Sequence, residues 1–179
     1  MAITFISSIY AIYFFIMIFL YRCARFFYKH NIPYFPKIIQ GLIFLLFNSK
    51  VTPDTIIGKG SYFVCKGISV VLIPGTVIGF NCVLGLRFST VRKFPYKNVP
   101  KLGNNVWCGP NVVIAGPVII EDNVIIAANS VVDKSVPTGC IVGGAPAKII
   151  GHIDNLSYNI FSNPKYKEGY AEYLTLAKL

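Results

Sequence analysis

Two short stretches carry residue types that could do chemistry. The first is FVCKGISVVLIPGTVIG, residues 63 to 79, where Cys65 and Lys66 stand side by side among apolar and small residues. A thiol next to an ammonium is a candidate nucleophile or proton acceptor, because a nearby cation lowers a thiol's pKa. The second is VGGAPAKI, residues 142 to 149. There Gly143 and Gly144 let a backbone come close to a ligand, and Pro146 fixes the turn that follows. Between the two lies a basic span without an acid, holding Arg87, Arg92, Lys93, Lys97 and Lys101, in a chain of net charge +10. Such a span gathers phosphates or anionic lipids, with a solvated loop as the bland alternative. Nucleic acid is not an expected partner, since no helix-turn-helix, zinc or aromatic RNA-binding signature accompanies the charge.

The remaining polar chemistry is sparse. The 2 histidines are His30, in a basic stretch near the N-terminal apolar run, and His152, in GHID. A surface histidine without a role is the plain reading of each. The 5 cysteines, at 23, 65, 82, 108 and 140, are odd in number and form no C-x-x-C pair. That pattern argues against a disulfide framework or a zinc site and for reduced, mostly buried thiols.

The elements that must position these residues follow from a pulse of six. From Leu102 the chain reads LGNNVW, CGPNVV, IAGPVI, IEDNVI, IAANSV, VDKSVP. The first place holds Leu102, Cys108, Ile114, Ile120, Ile126 and Val132; the fifth holds Val106, Val112, Val118, Val124, Ser130 and Val136. Neither an amphipathic helix nor a flat strand has this period. A coil does: three sixes make a triangular turn, and each first-place aliphatic points inward and stacks on its equivalent about 4.8 Å along the axis. The earlier half, VTPDTI, IGKGSY, FVCKGI, then LIPGTV, IGFNCV, LGLRFS, carries the same pulse. Between Phe63 and Leu72 the step is nine instead of six, so three residues are extruded around Cys65. Between Leu84 and Leu102 the segment TVRKFPYKNVPK breaks the pattern and reads as a loop thrown out from a corner. Excursions of this kind tend to carry function on repeat scaffolds.

At 179 residues the chain is expected to hold one core-bearing domain with an appendage. Residues 2 to 21 are free of charge, and Arg22, Arg25, Lys29 and Lys37 follow with no acid before Asp54. Twenty apolar residues span about 30 Å as a helix, which predicts an inner-membrane segment with the body on the cytoplasmic side. A signal peptide fits less well, lacking a basic start and a cleavage site. A helical hairpin covering the domain is the other alternative. The second apolar run, near residues 39 to 48, is too short to cross and is expected in the interface or on the body. The organisation is then a membrane-associated helical segment at 1–50, a coil domain at 51–151 and a capping extension at 152–179, with Tyr170, Tyr173 and Leu174 at helical spacing.

With this pulse and the closing CIVGGAPAKIIG, the chain resembles the hexapeptide-repeat acyltransferases, over about residues 28 to 151. FYKHNIPYFPKIIQGLIFLLF and GKGSYFVCKGISVVLIPGTVIGFNC look closest to the serine acetyltransferase-like branch that includes O-acetyltransferases of bacterial surface polysaccharides. The resemblance implies a mainly β fold, a left-handed parallel β-helix. It implies a homotrimer that binds acetyl-CoA between neighbouring β-helices and takes a carbohydrate acceptor, without a metal. It also implies a catalytic histidine in the excursion where this chain has Cys65, and a second where it has Val99. Gly109, Ala127, Ala128, Gly144, Pro146 and Ala147 would make room for the pantetheine arm and Lys148 would meet a CoA phosphate. Trp107 resembles a groove tryptophan that could stack on sugar or cofactor, or pack on the next subunit, and Arg92 and Lys93 fall near the acceptor.

An imidazole near pKa 6.5 accepts a proton at neutral pH more readily than an ordinary thiol near 8.5. Three readings of Cys65 follow: a small residue left after loss of catalysis, an activated thiolate acting as base or acetyl carrier, or a bystander to another catalytic group. The expected function is an acetyl-CoA-dependent O-acetyltransferase for a cell-surface polysaccharide or its lipid-linked precursor. A catalytically degenerate β-helix serving as scaffold in polysaccharide assembly is the alternative.

Overall fold

A computed structural model describes the backbone of residues 2–156 and the side chains from residue 16 onward. Two helices come first, α1 (Ala2–Lys29) and α2 (Phe35–Phe47), and short strands follow to His152. The expected closing helix around Tyr170, Tyr173 and Leu174 lies outside the described residues.

The strands stack into three faces. The first face orders Lys50–Val51, Val71–Leu72, Ser89–Val91, Val113–Ala115 and Val131–Val132. The second orders Ile56–Ile57, Val77–Ile78, Lys101–Leu102 and Ile119–Ile120. The third orders Tyr62–Phe63, Val83–Leu84, Trp107–Cys108, Ile125–Ile126 and Cys140–Gly143, and Lys148–His152 folds back antiparallel on the last. Every other pairing is parallel, so the chain visits the faces in turn as a β-solenoid of about 4 turns, consistent with a left-handed helix of hexapeptide repeats.

The pulse of six sets the core. Leu102, Cys108, Ile114, Ile120, Ile126 and Val132 are all buried, and so are Val106, Val112, Val118, Val124, Ser130 and Val136. Burying each large aliphatic contributes about 1.5–3 kcal/mol. The corners need backbone with positive φ, which asparagine tolerates best among residues with side chains. Asn111 (φ 58) and Asn129 (φ 58) occupy one such column, and the Asn111 Nδ2 donates to Asn129 Oδ1 at 2.9 Å. The core thiols follow the same logic: burial pushes Cys82 up and Cys108 well up from the ordinary thiol range.

The membrane-spanning helix and inner-membrane location expected from residues 2 to 21 are corrected here. Among the described residues no helix is long and apolar enough to cross a membrane. The physical reason is visible in the second half of α1, whose apolar side chains are spent on protein. Met17, Tyr21 and Ala24 are buried, and Met17 and Tyr21 join the same core cluster as the first coil. The Tyr21 hydroxyl donates to the Thr55 carbonyl at 2.6 Å, and Arg25 donates to the Pro53 carbonyl at 2.8 Å. In α2, Ile43 and Phe47 are buried while Phe44, Leu45 and Leu46 face outward.

Candidate active-site edge

Each coil turns from the third face to the first at one edge of the prism, and the excursion sits there in the first coil. Val64–Gly67 leaves the strand Tyr62–Phe63 before Val71–Leu72 begins. Its backbone is unusual, with Cys65 (φ 53), Lys66 (φ 62) and Gly67 (φ 73) all left-handed in succession. For residues other than glycine, asparagine and aspartate this costs about 1–3 kcal/mol each, so the surroundings must hold it. Ser49 does much of this. Its hydroxyl donates to the Gly67 carbonyl at 2.6 Å and accepts from the Val70 amide at 2.9 Å. The Ser69 amide donates to the Phe47 carbonyl at 2.9 Å, tying the excursion to the end of α2. Met17 of α1 lies over Gly67, where a side chain would meet its sulfur 2.5 Å away. The thiol of Cys65 is exposed at the tip.

The same edge, followed down the coils, collects most of the residues marked by sequence. Gly109 stacks so closely on the next coil that an added Cβ would lie 2.6 Å from the Ala128 amide nitrogen and 3.1 Å from the Ala127 carbonyl carbon. An added Cβ on Gly143 would in turn meet the Ala127 methyl at 3.2 Å. Ser130 accepts from the Gly144 amide at 3.2 Å and the Ala147 amide donates to the Val131 carbonyl at 2.8 Å, which pins the turn Gly144–Ala147 against the coil above it. Lys148 is exposed at the start of the returning strand, opposite Gly143. Trp107 is half-buried on the outer side of the third face, between Val83 and Ile125 in register and two residues before Gly109. Cys65, Gly109, Ala127, Ala128, Gly144, Pro146 and Ala147 therefore share one edge, over about four coil spacings of 4.8 Å.

Arg92 and Lys93 do not belong to it. They leave the first face toward the second, at the start of the loop that rejoins at Lys101. Lys93 lies along the next two coils, with Nζ 3.4 Å from Asp133 Oδ2 and its Cβ against Gly116. Neither histidine reaches the Cys65 edge: His30 packs its ring on Phe26 at 4.4 Å, and the His152 Nδ1 lies 3.8 Å from the buried Cys140 sulfur. No metal-holding cluster of His, Cys, Asp or Glu occurs among the described residues.

One exposed cation of the basic span belongs to this edge and not to the long loop. Arg87 (φ 57) stands one coil below the excursion, its amide 3.4 Å from the Ile68 carbonyl. The signal was in the aligned sixes, LGLRFS, CGPNVV and IAANSV, where an arginine replaces the corner asparagine of the next two coils.

Comparison with known proteins bears on this edge. The bacterial transferase hexapeptide (six repeats) family matches residues 100–134. The chain is 32% identical over 132 residues to the serine acetyltransferase of Helicobacter pylori strain J99, covering 73% of this chain and 77% of that protein. It is also 32% identical to the serine acetyltransferase of Synechococcus elongatus, where it spans 54% of the relative's length. Over a shorter stretch of 54 residues it is 43% identical to the galactoside O-acetyltransferase of Escherichia coli, covering 30% of this chain and 27% of that one. The serine acetyltransferase of Brucella abortus, solved in complex with coenzyme A, superimposes with a TM-score of 0.74 at 26% identity, over 79% of this chain and 57% of that one. A triangular coil with its excursion and closing turn on one edge, and a relative matched over most of its length, place the chain in the hexapeptide-repeat acyltransferase family.

Proposed function

We propose that the protein is an acetyl-CoA-dependent O-acetyltransferase whose acceptor is a sugar hydroxyl of a cell-surface polysaccharide or its lipid-linked precursor. The observation that carries this reading is the convergence of the excursion and the closing turn on one edge. The open backbone at Gly144 and the small Ala127 and Ala128 suit a narrow pantetheine arm, while Gly109 lets those two coils stack closely beside it. Exposed Lys148 suits a CoA phosphate. The galactoside O-acetyltransferase relative supports a sugar acceptor.

In the reaction the acceptor oxygen attacks the thioester carbonyl, its proton passes to a base, and CoA leaves as the thiolate or thiol. Cys65 stands where the family's histidine is expected and takes one of two parts. It accepts the proton directly, or its sulfur first displaces CoA to form an acetyl thioester that the acceptor then cleaves, restoring the thiol. Arg92 and Lys93 leave a different edge of the same chain, so a part for them beside Cys65 requires a neighbouring copy, as in a homotrimer with the site between copies. The absence of an imidazole from the Cys65 edge favours the second reading, a degenerate scaffold that keeps the coil without turnover.

Calorimetric titration of acetyl-CoA and CoA into the trimeric protein tests both. The transferase reading expects binding that Lys148→Glu weakens about ten-fold, the scale of one lost charge-assisted contact. No binding to folded trimer would leave the scaffold.

A further inference from the structure

A cavity of about 530 Å³ lies away from the Cys65 edge, where the α1–α2 turn leans on the first coil. It opens where the chain passes from the first face to the second, since Thr52, Pro53, Asp54 and Pro74 all line it. Three features set it apart from an ordinary surface crease. First, Asp54 Oδ1 is buried and has no hydrogen-bond partner among the described residues. An orphaned carboxylate oxygen costs roughly 1–3 kcal/mol or more, and a turn of the half-buried Asp54 side chain toward the cavity it lines brings that oxygen within reach of an entering O–H or N–H donor. Second, Tyr34 is held at φ 70, a positive φ unusual for an aromatic residue, and the residue is 75% exposed. Strain kept for a ring that packs on so little marks a presented side chain. Third, the rest of the lining is chemically mixed in one particular way. Tyr28 and four prolines supply rigid apolar surface, while Asn31 and Gln40 supply planar groups that both donate and accept.

We infer that this cavity binds a hexopyranose ring. A pyranose has an apolar C–H face for Tyr34 and Tyr28 and equatorial hydroxyls that donate to Asp54 and exchange hydrogen bonds with Asn31 and Gln40. One ring, or two linked rings, fits the volume. Lys37 also lines the cavity, so a ring bearing a carboxylate is accommodated as well. The choice of sugar rests on the glycan acceptor proposed above. The site itself is distinct, a second contact by which a polysaccharide chain is held while another of its residues is presented elsewhere.

The test is titration of the full chain with methyl glucoside, methyl galactoside and methyl N-acetylglucosaminide, read by saturation-transfer NMR and calorimetry, with glycerol as a ringless polyol. At least one pyranoside is expected to bind saturably and glycerol is not. Asp54→Asn keeps the shape and is expected to weaken binding about ten-fold; Tyr34→Gly removes the ring, relieves the backbone and is expected to weaken it about five-fold with no loss of melting temperature. The inference is overturned if no pyranoside binds to folded protein, or if binding survives both substitutions unchanged. CoA titrated into the same samples separates the two readings. CoA binding without sugar binding sinks this inference alone, and sugar binding without CoA binding sinks the transferase alone.

Discussion

The edge between the third and first faces is built twice over, once in the excursion at Val64–Gly67 and again in the plain corners at Gly109–Asn111 and Ala127–Asn129. The plain corners explain themselves. One left-handed residue per turn suffices, it is asparagine, and its side chain bonds to its copy in the next coil. In the first of these corners Gly109, two residues before the asparagine, is required because the next coil's backbone leaves no room for a Cβ. The excursion has three left-handed residues in a row, two of them cysteine and lysine, and is held from outside by Ser49 and Met17. Stacking alone therefore accounts for the later corners and not for the first. A backbone strained against its own propensities and held by two other elements is the place to look for function.

The sharpest way to break this contrast is to fill the two glycines. Gly109→Ala sets a methyl against rigid backbone and is expected to cost about 3–4 kcal/mol, seen as a large fall in denaturant midpoint. Gly67→Ala meets the movable end of Met17 and a positive φ, and is expected to cost only about 1–2 kcal/mol. If the two losses were equal, the excursion would be as fixed by stacking as any corner.

A functional difference comes next. Cys65→His is expected to raise acetyl transfer several-fold if the pocket is otherwise competent, and Cys65→Ser to abolish it if the thiol carries the reaction. Turnover unchanged by both would remove Cys65 from the chemistry. Asn111→Ala, which breaks the corner ladder, should leave CoA binding untouched and lower stability by about 1 kcal/mol in thermal melts.

Titration gives the smallest effect. Burial raises the pKa of Tyr21, Cys82 and Cys108 in the fold. The unfolded chain gives up these protons at about 8.5 for the thiols and 10 for the phenol. Their contribution to stability is thus fully present below about pH 8.5 and is lost as pH rises toward the folded values. Melting temperature should decline from about pH 9 upward, and a Cys108→Ala variant should flatten the decline while losing stability overall.

Much of this architecture was legible in the chain. The first-place column from Leu102 to Val132 and the nine-residue step around Cys65 located the core and the excursion, because a solenoid writes each coil's geometry into a local repeat. The N-terminal run was misread for a physical reason. Phe, Ile and Leu on every side of a helix suit lipid and protein equally, and only the docking of Met17 and Tyr21 on the first coil decides between them. The cavity under Tyr34 was invisible, since Asn31, Gln40 and Asp54 come from three separate segments with no shared period. Arg87 was read only as part of the basic span; asking which corner in the aligned sixes lacks its asparagine would have placed it on the edge.

Met17 resting on Gly67 has one more consequence. The docking of α1 and the shape of the excursion form one mechanical unit, so an event that lifts the helix also lets Cys65 relax. Amide exchange would register this as a single cooperative opening shared by residues 16–24 and 64–69, faster than exchange from the coils between Leu102 and Val132.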